Sequence, residues 1–232
     1  MNGRVGVVCG RTSRLKLLTL SANKKPPQDW IAPVGEKQNH RWNHLVRIDG
    51  REVIGLDDTG RLTRVQYRSG DVPHLAGVAE LQLEQPVDIR PVLRGEFLYV
   101  ADVSGTVRQL NVRSFDTDGQ TTLTAPIKSL WSAGANTVVQ AGDGKLHCLA
   151  DGKKLPEQWS FDLANLEPTG STVLKGDSLW FACRNGTVLV LNATSGTEVR
   201  RIVLPQSLSL GLRQVQETLV AVAVDGTLYR LE

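Results

Sequence analysis

Four histidines, three cysteines and a scatter of aspartates are the side chains that could do chemistry in this sequence. His40 and His44 stand four apart in NHRWNHLVRI, a spacing that brings two imidazoles to one metal when the segment is helical. The segment reads as strand, which sets the rings about 13 Å apart, too far for one zinc ion. His74 stands alone in an expected loop. His147 alternates with Leu146 and Cys148 in an expected strand. Asp57-Asp58, Asp116, Asp118 and Asp143 would suit acid–base or calcium chemistry, yet each falls at an expected turn, where aspartate bonds the local backbone. FDTDGQ (115–120) opens like a calcium loop but lacks the later bidentate glutamate. Neither a glycine-rich phosphate cradle nor a nucleophile elbow occurs. Cys9, Cys148 and Cys183 cannot all pair within one chain and lie in apolar runs, as buried free thiols of a reducing compartment do. The expectation is therefore a protein that is not an enzyme and carries no metal and no cofactor.

The elements that would hold these residues declare themselves by repetition. FACRNGTVLVL (181–191) reads as two strands around a tight Asn-Gly bend, and nearly the same phrase recurs five more times. Turn glycines fall at Gly60, Gly105, Gly144, Gly186 and Gly226, with Ser13 in the first copy, so the period is about 40 residues. Such bends require positive φ, which glycine accepts at no steric cost. Ten residues earlier stands Gly3, Gly50, Gly95, Gly134 or Gly176, with Gln216 in the last copy. Two residues after each bend an apolar side chain is always present (Leu15, Leu62, Val107, Leu146, Val188, Leu228). A further strand precedes several hairpins (45–48, 89–93, 171–174, 210–215), and another follows (28–34, 79–85, 157–163, 198–204). No amphipathic helix is expected. Four short antiparallel strands per repeat cannot bury both faces of one sheet, but sheets packed radially can. The expected fold is an all-β propeller of about six four-stranded blades, near 1–40, 41–86, 87–127, 128–168, 169–206 and 207–232, in one domain. Trp42, Trp131 and Trp180 are expected to pack between blades.

The phrases LYVADVSGTVRQLNV, LWFACRNGTVLVLNATSG and LVAVAVDGTLYRLE resemble the pyrroloquinoline-quinone-like (PQQ-like) propeller repeat. In that family a second glycine and then a tryptophan follow. Gly196 fits the glycine, whereas Arg200 stands in the tryptophan's place; Trp159, after Gly152, and Trp30 fill comparable places elsewhere. The resemblance spans the chain and is weakest over 66–85 and 113–127. It implies the fold, and it points to the family's non-enzymatic branch. The family's quinone enzymes carry calcium ligands and a vicinal disulfide, and no Cys-Cys pair is present here. The Trp-Asp and Gly-His marks of WD repeats are missing.

Composition bounds the partners. The chain has 232 residues, 41% hydrophobic and 22% charged, with a net charge of +3. The first 41 residues hold eight basic and two acidic side chains, a local surplus of +6. That sector supplies the expected surface for a protein partner: Arg4, Arg11, Arg14, Lys16, Lys24, Lys25 and Arg41, with Trp42 as an anchor. With aromatics at 5%, stacking platforms for nucleic acid are not evident. No apolar run reaches the roughly 20 residues of a membrane helix, and no signal peptide opens the sequence, so a cytoplasmic location is expected. The two terminal repeats are incomplete, the first lacking its opening strand and the last its closing strand. Their open edges invite strand donation by a partner. The leading expectation is a non-catalytic scaffold within a larger complex or polypeptide. The alternative is an anion or small molecule in the central channel, held by Arg47, Arg90 and Arg213.

Overall fold

The computed structural model describes residues 5–9, 15–19, 29–30, 41–69 and 74–231; in the first three segments the backbone alone is described. The chain divides into two compact units, Met1–Asp118 and Gly119–Glu232. Among the described residues every regular element is a strand.

In the first unit β1 (Val5–Cys9), β2 (Leu15–Thr19) and β3 (Asp29–Trp30) form a three-stranded sheet. A four-stranded meander follows: β4 (Trp42–Arg47), β5 (Glu52–Asp57), β6 (Arg61–Arg68) and β7 (His74–Gln82). The third sheet contains β8 (Val92–Arg94), β9 (Phe97–Ala101), β10 (Thr106–Asn111) and β11 (Thr117–Thr122), the last running past the unit boundary. The second unit opens with β12 (Ile127–Ala133), β13 (Asn136–Ala141), β14 (Lys145–Leu149) and β15 (Glu157–Asp162). Next come β16 (Pro168–Lys175), β17 (Ser178–Cys183), β18 (Thr187–Asn192) and β19 (Glu198–Val203), and finally β20 (Leu208–Val215), β21 (Thr218–Ala223) and β22 (Leu228–Arg230). The first four of these seven strands are called the fifth sheet and the last three the sixth; a single parallel bridge, Ser171 to Gly211, links the two edge to edge. A Cβ on Gly170 or on Gly211 would collide with the backbone of the other strand, so only glycine permits this approach.

The five bends are equivalent corners. Gly60, Gly105, Gly144, Gly186 and Gly226 have φ of 84°, 97°, 82°, 89° and 90°. Each donates its N–H to the carbonyl three residues earlier, at 3.1–3.4 Å. Asp143, Asn185 and Asp225 accept the amide two residues ahead, from Lys145, Thr187 and Thr227, at 3.0–3.1 Å. In the second and third sheets the acceptor moves back to Asp57 and Asp102, each taking two amides. The aspartates at 57, 102 and 143 thus serve the turns. At the earlier marker, Gln216 adopts φ 55° where Gly95, Gly134 and Gly176 adopt 57–62°. A side chain in that conformation costs about 1–3 kcal/mol.

Alternation along each strand fills the spaces between neighbouring sheets. In the first unit Ile54, Leu56 and Leu62 of the second sheet pack with Leu98, Val100 and Leu110 of the third. In the second unit Val138, Leu146 and Cys148 meet Leu179, Phe181 and Leu189, while the opposite face of the same hairpin presents Trp180, Val188 and Val190 to Leu212, Leu219 and Ala221. Phe181 is fully buried and meets Trp131 edge-on at 5.5 Å between ring centroids. Burying such a side chain stabilises the fold by about 1.5–3 kcal/mol. The Trp131 indole donates to the Gly170 carbonyl at 2.8 Å, and the Trp159 indole to the Ala193 carbonyl at 3.0 Å. Trp159 also covers Gly196, where a Cβ would meet its ring at 2.5 Å. Trp42 instead lies on its own sheet, over Gly55 and beside Val53, Val65 and Leu75.

Several local expectations are corrected. FDTDGQ is no loop: Phe115 and Asp116 close a turn on Asn111, and Asp118 lies within β11. The polar sequence TDGQTT has no apolar alternation to mark it as strand; pairing with β10 makes it one. His74 begins β7 rather than sitting in a loop, and its partner across the ladder is Arg68. The opening strand of the fourth repeat, β12, carried no signal in the sequence.

Candidate interaction surface

The hairpin β21–β22 has the same sequence phrase as the others and one face without a neighbour among the described residues. Leu219, Ala221 and Ala223 point toward the fifth sheet and are buried. On the opposite face Val222 pairs with Leu228, and Val220 stands between Arg213 of β20 and Arg230 of β22. Leu228 is 67% exposed, Val224 69% and Val215 59%. Strand β22 ends its sheet, with β21 on one side and no strand on the other among the described residues. In its inward bonds the Ala223 N–H donates to the Thr227 carbonyl and the Leu231 N–H to the Leu219 carbonyl, both at 2.9 Å. By alternation, the Gly226 carbonyl and the amides of Leu228 and Arg230 face outward.

The complete sheets show what stands at that edge elsewhere. In the second, fourth and fifth sheets a fourth strand runs antiparallel to the third and is followed directly by leucine. Leu83, Leu163 and Leu204 donate their N–H to the carbonyls of Gly60, Gly144 and Gly186, each at 3.0 Å. Leu83 and Leu163 are buried, and Leu204 packs against the sixth sheet's cluster. A Cβ on Gly60 or Gly186 would meet the carbonyl oxygen of Gln85 or Gln206 at 2.6 Å, whereas one on Gly144 or Gly226 would meet nothing within 4 Å, so this space varies among complete sheets as well. The sequence marked the last repeat as incomplete. It did not mark Val215, Val224 and Leu228 as surface, because their apolar alternation matches that of the buried hairpins.

The residues expected to bind a partner are only partly within view. Arg4, Arg11, Arg14, Lys24, Lys25 and His40 lie outside the described residues. Lys16 falls in β2, its backbone paired with Val8 and Asp29. Arg41 is exposed, and its amide donates to Asp58 Oδ1 at 3.1 Å. Trp42 is half-buried. Of the three arginines assigned to a channel, Arg47 donates to the Asp49 carbonyl at 3.0 Å. Arg213 donates to the Ser171 hydroxyl and to the Leu212 carbonyl. Arg90 is exposed.

Other polar groups are mostly spent on the fold. The His147 ring lies between Glu157, at 2.7 Å from Nδ1, and Asp143, at 3.0 Å from Nε2, fastening the bend to the fourth strand. His44 Nε2 meets the Asp88 carbonyl at 2.9 Å. Glu52, buried, accepts from Gln66 at 3.0 Å and from Arg113 at 2.8 Å. Burial opposes ionisation of Asp102. Hydrogen bonds from Ser104, Arg108 and Thr106 outweigh it and hold the carboxyl below its usual range. Burial pushes the Cys183 thiol up to about 12 against the opposing charge of Arg201, which makes it inert. Cys148 is also a buried free thiol. An open cleft of about 330 Å³ lies beside the Gly144 bend, with Lys128, Gln140, Asp143 and Glu167 on its walls. Among the described residues no group of three or more His, Cys, Asp or Glu side chains is set to hold a metal. No helix among them is long and apolar enough to cross a membrane.

Four-stranded antiparallel meanders, like those of the solved structures it resembles, define the chain as a β-propeller. No protein-family model and no curated protein matches the sequence. Solved structures do resemble it in fold. BamB from Moraxella catarrhalis superposes with a TM-score of 0.70 at 18% identity, over 98% of this chain and 66% of that one. BBS1N, solved in complex with ARL6DN, gives 0.69 at 16% identity, over 98% and 77%. The β-propeller domain of Myceliophteria thermophila Cps50 (Swd1) gives 0.65 at 12% identity, over 98% and 78%. The chain thus spans about two thirds of the length of the BamB structure.

Proposed function

We propose that this chain is a non-catalytic propeller scaffold of the PQQ-like kind that binds a protein partner within a larger assembly. The observation that carries this reading is the sixth sheet: Leu228 is exposed on β22, which has no strand on its outer side among the described residues, and Val224 is exposed at the corner before it. Contiguous exposed apolar surface and open edges are association sites in folded proteins. The BBS1N structure, solved with ARL6DN bound, supports a protein-binding role for this fold. The basic surplus of residues 1–41 supports a second contact, made by Arg4, Arg11, Arg14, Lys16, Lys24, Lys25 and Arg41 around Trp42.

Affinity capture of the native gene product, compared between wild type and Leu228→Lys, followed by mass spectrometry, tests the reading. The expected result is a protein retained by wild type and lost from the variant. Identical captured sets, with a monodisperse monomer in light scattering, would overturn it.

A further inference from the structure

Resting on that protein-binding reading, we propose that β22 accepts a fourth strand from the partner: an extended antiparallel segment of pattern acidic–x–large apolar–x–leucine. The complete sheets supply the template. Leu62, Leu146 and Val188, each two residues after its bend, pair with Leu81, Phe161 and Ile202. Two residues further along those fourth strands stand Leu83, Leu163 and Leu204, with their amides on the glycine carbonyls. Leu228 holds the equivalent place in β22, two residues after Gly226. A docked strand would set its large apolar side chain on Leu228 and Val222, and its leucine N–H on the Gly226 carbonyl. Strand addition gains its affinity from such main-chain bonds and its selectivity from alternate side chains.

The acidic position follows from charge. Two residues before the large apolar side chain, the fourth strands of the fourth and fifth sheets present Trp159 to Cys148 and Arg200 to Val190. In β22 the facing residue is Arg230, with Arg213 across Val220 on the same face. Both are exposed, and Arg230 has no carboxylate partner among the described residues. A second guanidinium there would repel; a carboxylate completes a charge-assisted pair.

The probe is a fluorescent synthetic copy of residues 198–205 carrying Arg200→Glu, titrated into the whole chain by anisotropy. Saturable binding is expected. The peptide with Arg200 unchanged, or one N-methylated at Leu204, should bind roughly tenfold more weakly, the scale of one charge-assisted or main-chain bond. In the protein, Leu228→Lys should weaken binding, and Arg230→Glu should reverse the preference between the two peptides. Circular dichroism on both variants verifies that these exposed substitutions leave the fold intact. Absence of saturable binding, equal binding of the two peptides, or a dimer that the peptide does not dissociate would overturn the proposal. A native partner that is captured while the peptide fails to bind would sink the strand chemistry alone. A peptide that binds while no native protein is captured would support the strand chemistry and sink the scaffold reading.

Discussion

The fifth and sixth sheets carry nearly the same hairpin and meet opposite fates. In the fifth, Phe181 and Cys183 are closed off on one face and Trp180 and Val188 on the other, and β19 ends in the Leu204 clasp on Gly186. In the sixth, the face toward β17 and β18 is equally closed. The other face leaves Val224 and Leu228 in solvent, and no fourth strand covers β22 among the described residues. Corner geometry is the same in both, φ 89° and 90°. The hairpin is thus a local property of the sequence, whereas burial is conferred by the neighbouring sheet and the fourth strand.

Paired substitutions sharpen that contrast. Phe181→Ala should lose about 3–5 kcal/mol, while Leu228→Ala should stay within about 0.5, both read from denaturant midpoints. Comparable losses would mean that the sixth sheet's outer face is covered in solution. Gly186→Ala combines left-handed strain with a clash on the Gln206 carbonyl and should cost about 2–4 kcal/mol. Gly226→Ala meets open space, so strain alone should cost about 1–2. A smaller gap between the two would mean that the corner at Gly226 is covered in solution.

Alkaline pH probes the closed sheet chemically. The Cys183 thiol is raised to about 12 in the fold, so between about 8.5 and 12 the unfolded chain loses this proton and the native one keeps it. Stability contributed by this group is complete below the lower value and falls by about 1.4 kcal/mol per pH unit above it. Cys183→Ala should flatten the alkaline limb of a pH–stability curve. Rapid alkylation of native Cys183 at pH 9 would contradict the burial that causes the shift. A gain rather than a loss is expected at Gln216. Replacing it by glycine, as at the equivalent turns, should raise stability by about 1 kcal/mol in thermal unfolding.

Much of this architecture was legible in the sequence, because its signals are local. Positive φ at five bends requires glycine, and alternation of period two places strands on either side of it. The polar fourth strand β11 was not legible: TDGQTT is a strand only because β10 offers it a ladder. The candidate surface was half legible. The open outer side of β22 among the described residues matches the count of strands in the last repeat. The exposure of Val215, Val224 and Leu228 could not be read there, since nothing in their own sequence separates them from Val188 or Leu191 in the core.

The seam at Ser171 and Gly211 joins two sheets built to one plan, and the fifth has a face for the sheet before it and a face for the sheet after. Deleting the sixth sheet would therefore not tidy the molecule. It would unveil Trp180, Val188 and Val190, a greasier surface than the one removed. Shortening such a stack relocates its sticky end without ever abolishing it; only a cap can silence it.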